Sequence, residues 1–219
     1  MSSLHPQVAA LLERAARSPL PPYDEVPPAV ESVQLRLVPG PAGPVPVRAY
    51  RPKGAGKDEL LPVLVYFHGG GWVIGDLDTH DVVCRALANG ARCAVFSVEY
   101  RKAPEAPFPA AVDDCFAAFS YVVENGKNLN IETSKAAVGG DSAGGNLATV
   151  IALMTAGFDP LLDEGRAYAE RMKKEGVPVE YREYAGMVHG FITMGRVLDT
   201  ANEALADCAR ALKKAWGSG

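Results

Sequence analysis

The sequence has no uninterrupted apolar run of the roughly 18–20 residues that a membrane span requires. Its start, Met1-Ser2-Ser3-Leu4-His5, has neither a basic n-region nor an apolar h-region. A spanning helix and a secretory leader are therefore not expected. Cysteine is scarce: Cys84, Cys93, Cys115 and Cys208 show neither metal-ligand spacing nor the density of a disulfide framework. Free buried thiols in a reducing, cytoplasmic setting are expected, with no metal. Neither sign of charge prevails, since 22 basic residues face 26 acidic ones for a net charge of −4. No basic stripe is available for nucleic acid. The 219 residues, 48% hydrophobic, suit one compact domain with a substantial core.

Leu4, Val8, Leu11, Leu12 and Ala15 fall on one face of an amphipathic helix. It ends at Ser18-Pro19-Leu20-Pro21-Pro22, where the prolines forbid continuation, and a second proline-rich stretch runs to Pro28. Two strands are expected over Val33–Val38 and Val45–Arg51, joined through the turn Pro39-Gly40-Pro41-Ala42-Gly43-Pro44. From residue 60 short apolar runs alternate with helical periodicity. The runs are Pro62–Phe67, Ala94–Val98 and Ala136–Val138, with helices near Asp81–Asn89 and Ala110–Glu124 between them. That alternation describes an α/β domain whose mostly parallel sheet is covered on both faces. A helix near Gly165–Lys174, a strand Val179–Tyr184 and a last helix with Ala201, Ala204, Leu205, Cys208, Ala209 and Leu212 on one face complete the chain.

Chemistry concentrates in three places. Gly140-Asp141-Ser142-Ala143-Gly144 follows an apolar run and precedes a helix former, the strand–turn–helix setting of a nucleophile elbow. A serine at the apex of so sharp a turn needs small flanking residues, and the start of the next helix aims free amides at charge forming near Oγ. His68-Gly69-Gly70-Gly71-Trp72 follows the strand Val63–Phe67 and leaves from the same sheet edge. Consecutive glycines let backbone amides approach a substrate oxygen, and with the Ala143 amide they make an oxyanion hole. Such donors are worth about 3–4 kcal/mol each to the transition state. A phosphate cradle is the weaker reading, since the Lys-Ser/Thr pair of a P-loop and the G-x-G-x-x-G spacing are both missing.

A serine hydroxyl needs a base. The chain has four histidines. His5 sits in the first helix, His68 in the glycine loop, and His80 starts a helix. His189, on a loop after the strand Val179–Tyr184, remains as the base. For the acid that orients it, Asp159 in Gly157-Phe158-Asp159-Pro160-Leu161 is preferred to Asp163, which suits the N-terminal charge of the helix near Gly165.

Together these stretches resemble the bacterial hormone-sensitive-lipase-like carboxylesterases of the α/β-hydrolase fold. The matching segments are HGGGWVIGDLDTHD (68–81), EYRKAPEAPFPAAVDD (99–114), VGGDSAGGNLA (138–148), TAGFDPLLDEG (155–165) and YAGMVHGF (184–191), in family order. The resemblance implies a triad of Ser142, Asp159 and His189, and an oxyanion hole from the amides of Gly70, Gly71 and Ala143. His68, Gly69 and Trp72 are expected to bind substrate beside them. It also implies short-to-medium acyl esters as small-molecule substrates, and no cofactor. Residues 1–30 then read as a lid remnant and 31–216 as the hydrolase domain.

One feature departs from the family. Between the serine and DPL motifs, members carry two strands, a helix and part of a lid, whereas Ser142 and Asp159 here are 17 positions apart. A helix over about Ala143–Ala152 descends roughly 15 Å. A strand of some five residues climbs back about 16 Å. The connection closes with almost nothing left for a turn. A reduced strand count and a reduced lid are expected, and exposed strand edges invite pairing into a homo-oligomer. The reading opposed to an esterase is a silent binding protein, in which the shortening misplaces Asp159.

Overall fold

A computed structural model describes residues 3–17, 27–148 and 152–217. The expected proline-rich stop at Ser18–Pro22, and Thr149–Ile151 in the short connection, lie outside the described residues. Within the description the chain forms two compact units, one drawn from 1–26 and 151–207 and the other from 27–150 and 208–219.

The larger unit is built on a five-stranded sheet. Its strands are β1 (Ser32–Val38), β2 (Val45–Arg51), β3 (Leu61–Phe67), β4 (Ala94–Val98) and β5 (Ile131–Gly140), in the order β1-β2-β4-β3-β5. β1 and β2 form the expected antiparallel pair around the proline-glycine turn, while β3 runs parallel to both β4 and β5. β4 is buried throughout and β3 nearly so, which explains why their sequences are continuously apolar instead of alternating. Helices α2 (Asp81–Ala91) and α3 (Ala110–Glu124) match the expected periodicity. The core gathers Val47, Val63, Val65, Phe67, Phe96 and Val98 of the sheet with Cys115, Ala118 and Val122 of α3. A short α4 (Gly126–Leu129) precedes β5.

After the serine motif, α5 covers only Ala143–Leu147, and Ala148 is already extended at φ −103°, ψ 132°. The helix expected to run to about Ala152 is half that length. Thr149-Val150-Ile151 follows, three β-branched residues with poor helix propensity.

The smaller unit contains α1 (Pro6–Arg17), β6 (Ala152–Phe158), α6 (Leu162–Lys174), β7 (Glu180–Val188), a 3-10 turn at Phe191–Thr193 and most of α7 (Asp199–Ala215). β6, α6 and β7 make a parallel βαβ unit. Val8 of α1 is fully buried among Tyr184, Met187, Phe191, Leu198, Ala201 and Ala204, and the His5 amide donates to the Gly186 carbonyl at 3.0 Å. The first helix therefore docks beside β7 through Val8 and Leu4 of the expected stripe, whereas Leu12 of that stripe is exposed.

Candidate active site

Two strand pairings place the chemistry. In the larger unit Phe67 of β3 is paired with Gly140 of β5. The glycine loop and the serine turn therefore leave the sheet from adjacent positions. In the smaller unit Phe158 of β6 is paired with Val188 of β7. Asp159 and His189 follow these partners directly. In parallel strands the carboxyl ends share one edge, where irregular loops present functional groups.

Ser142 sits at φ 49°, ψ −119°, a conformation that costs a non-glycine residue on the order of 1–3 kcal/mol. The turn is held by close packing. A Cβ on Gly144 would lie 1.9 Å from the Phe67 carbonyl oxygen, and one on Gly140 would lie 2.4 Å from the Gly144 carbonyl carbon. These glycines are steric necessities, as the motif implied. Ser142 itself is half-buried. Because α5 has five residues, its macrodipole is small, and negative charge at this site would depend on discrete amide donors.

The glycine loop supplies them. Gly70 has φ +125° and its Cβ position is filled by the Ile74 carbonyl, so the chain folds back with Val73 and Ile74 amides donating to the Gly70 oxygen. Among the described residues, nothing accepts from the amides of Gly70, Gly71 and Ala143. The Gly69 amide is already committed to Asp141 Oδ1 at 3.0 Å. Gly71 and Trp72 are exposed and Gly70 is half-buried. His68 and Gly69 are buried, His68 completely. The His68 ring stacks on Tyr100 at 4.3 Å, its Nδ1 is 2.8 Å from the Gly69 oxygen, and the Tyr100 hydroxyl donates to its carbonyl at 2.7 Å. Burial holds the His68 imidazole below its usual range. It is a structural pillar of the loop.

Asp141, the residue before the serine, was not singled out from the sequence. Its carboxylate accepts from the Tyr66 hydroxyl at 2.7 Å and from the Gly69 amide, and His80 Nε2 lies 3.2 Å away. Burial pushes the Asp141 carboxyl up. The His80 contact, with Tyr66 and Gly69, outweighs it and leaves Asp141 below the ordinary carboxylate range. Burial, reinforced by the Asp141 charge, raises the Tyr66 phenol and keeps it a donor.

In the smaller unit His189 Nδ1 lies 2.8 Å from Asp159 Oδ2. Asp159 Oδ1 accepts the Leu161 amide at 2.8 Å, which fixes the carboxylate plane. An ionised Asp159 keeps the proton on Nδ1 and makes Nε2 the basic nitrogen. Asp163 takes no part: it is 93% exposed in the first turn of α6, 3.6 Å from Arg166. Among the described residues, no group of three or more His, Cys, Asp or Glu side chains could hold a metal ion, and no helix is long and apolar enough to cross a membrane.

A parallel-sheet hydrolase scaffold with a strained serine turn, a glycine loop and a histidine–aspartate pair defines a class of enzyme, and comparison with known proteins gives the family. The model of the alpha/beta hydrolase fold matches residues 64–156 and 151–193. Esterase LipI of Mycobacterium tuberculosis is 32% identical over 262 aligned positions, covering 84% of this chain and 82% of LipI. Carboxylesterase NlhH of the same species is 34% identical over 252 positions, covering 78% of each. Among solved structures, the hyperthermophilic esterase of the archaeon Pyrobaculum calidifontis superposes with a TM-score of 0.88 at 29% identity, covering 97% of this chain and 98% of that one. The chain belongs to the alpha/beta-hydrolase family, in its hormone-sensitive-lipase-like carboxylesterase branch.

Proposed function

We propose that this protein is a serine carboxylesterase acting on short-to-medium acyl esters through an acyl-enzyme on Ser142. The observation that carries the reading is the strained Ser142 turn, packed against a glycine loop whose Gly70 and Gly71 amides are uncommitted among the described residues. The His189–Asp159 pair supplies the base. His189 Nε2 takes the Ser142 proton as Oγ bonds to the ester carbonyl carbon, and the carbonyl π electrons move onto oxygen. The amides of Gly70, Gly71 and Ala143 stabilise that oxyanion. As it collapses the carbon–alkoxy bond breaks, and the alcohol departs with the proton from His189. Water then repeats the attack, its proton going to His189, and the carboxylic acid and free Ser142 are released.

Exposed Trp72, Val73 and Ile74 beside the amides favour an apolar acyl group, and this reading keeps Trp72 as a substrate contact. The named relatives are esterases, which favours catalysis over the silent binding role. Cys84, Cys93 and Cys115, buried free thiols, support a cytoplasmic setting. Exposed Val33, Leu35 and Leu37 on the terminal strand β1 support self-association. Steady-state and burst kinetics with p-nitrophenyl acetate and butyrate test the reading. Turnover that vanishes in Ser142→Ala is expected, and turnover unchanged by that substitution refutes it.

A further inference from the structure

The Asp141 carboxylate joins parts of the chain that are far apart in sequence. It directly precedes Ser142, and its Oδ1 accepts the amide of Gly69, which directly precedes the first oxyanion amide at Gly70. The spacing between nucleophile and oxyanion donors is thus set through one side chain. That carboxylate has three donors. Two of them, the Tyr66 hydroxyl and the Gly69 amide, share Oδ1 and belong to β3 and the loop that leaves it. The third is His80 Nε2, 3.2 Å from the carboxylate, and it comes from the residue that begins α2. An ionised carboxylate accepts, so Nε2 carries the proton and donates.

The His80 ring is itself fixed. Thr79 Oγ1 lies 2.9 Å from Nδ1 and accepts the Asp76 amide, and its single hydroxyl proton serves either Nδ1 or the Asp76 carbonyl, also 2.9 Å away. His80 is 6% exposed, and its imidazole leans against the His68 ring at 5.6 Å and the Tyr66 ring at 6.3 Å. A buried imidazole in the larger unit, with both nitrogens engaged and one on the residue before the nucleophile, is placed to hold that unit's reactive loops in register.

We propose that His80 is a positioning residue for ester hydrolysis, holding the Ser142 turn and the Gly70–Gly71 amides in register through Asp141. The proposal rests on the carboxylesterase reading. Displacing reacting groups by 1 Å costs on the order of 10²-fold in rate, and loss of one oxyanion donor costs a similar factor.

The test uses the full chain and p-nitrophenyl butyrate, with His80→Gln, His80→Leu and His80→Asn. Glutamine presents an N–H near the Nε2 position, leucine presents none, and asparagine presents one only near Nδ1. The leucine and asparagine variants are expected to lose about 10- to 100-fold in kcat with KM within about twofold of the parent, because the lost interaction acts on the transition state. The glutamine variant is expected to stay within about fivefold of the parent kcat. If the leucine variant does not fold, asparagine against glutamine gives the same contrast. Unchanged kcat in the leucine and asparagine variants, equal loss in all three, or a change confined to KM overturns the proposal. A parent whose rate equals that of Ser142→Ala overturns the carboxylesterase reading instead, so the two failures are distinct.

Discussion

Replacing Gly144 by alanine adds one methyl group at the point where the serine turn crosses the end of β3. The added Cβ would stand 1.9 Å from the Phe67 carbonyl oxygen, 2.6 Å from its carbon and 2.7 Å from the His68 oxygen. All three are backbone atoms, so no side chain can rotate away. Gly144 lies in α5 with no positive φ, and alanine suits a helical backbone, so the whole penalty comes from contact. Relief requires the turn and the β3 end to part by on the order of 1 Å, which for reacting groups costs about 10²-fold in rate. Overpacking of this kind costs about 1–3 kcal/mol of stability. For a chain of this size that is roughly 2–12 °C in Tm. Gly145→Ala is the matched control: its Cβ has its tightest contact with the Gly140 oxygen at 3.3 Å, which a few tenths of an ångström of movement relieves. The assay is p-nitrophenyl butyrate turnover, normalised to sites titrated by a fluorophosphonate, with melting curves alongside. The prediction is a kcat about 100-fold down for Gly144→Ala and within about threefold for Gly145→Ala. A Gly144→Ala enzyme within twofold of the parent, or equal damage from both substitutions, refutes the reasoning.

Asp159→Asn is expected to lower kcat by about 10⁴-fold, because the amide cannot hold the Nδ1–H tautomer of His189. Asp163→Asn, at the exposed rival, should change kcat by less than about twofold. Steady-state kinetics of the pair decide which carboxylate orients the base. Asp141 gives a pH prediction. Its folded-state carboxyl lies below the ordinary range, so below the usual carboxylate pKa the unfolded chain binds the extra proton first. Its contribution is complete above the unfolded pKa of about 3.9 and is lost as pH falls through the lowered folded value. Melting curves from pH 6 down to pH 3 should therefore fall more steeply for the parent than for Asp141→Asn, and parallel curves contradict the assignment.

What could be read in advance depended on how local each signal was. β2, β4 and α3 have the bounds that their apolar patterns indicate, because their residues alone decide which face is buried. Ser142, His189 and the glycine loop sit in short motifs whose steric reasons are local. Gly144 is needed because of Phe67, and the strand before each motif announced that neighbourhood. Asp141 and His80 were not legible as partners. Their contact spans 61 positions, and that of Tyr66 with Asp141 spans 75. Both depend on the β3–β5 register. The available signals were an acidic residue inside the serine motif and a histidine closing the Asp76–Thr79 turn, and neither names the other. The burial of His68 was not legible, because a motif does not tell which side of the loop faces the interior. The length of α5 was not legible because apolar Leu147–Leu153 fits a helix and a strand equally well.

On the proposed mechanism Ser142 is an activated nucleophile whose base is His189. Intact-mass spectrometry after a short exposure to a fluorophosphonate, with peptide mapping, addresses it most directly. One adduct per chain is expected, on Ser142, formed slowly or not at all in His189→Asn and absent in Ser142→Ala. No adduct on the parent, an adduct on another residue, or labelling at the parent rate in His189→Asn contradicts it.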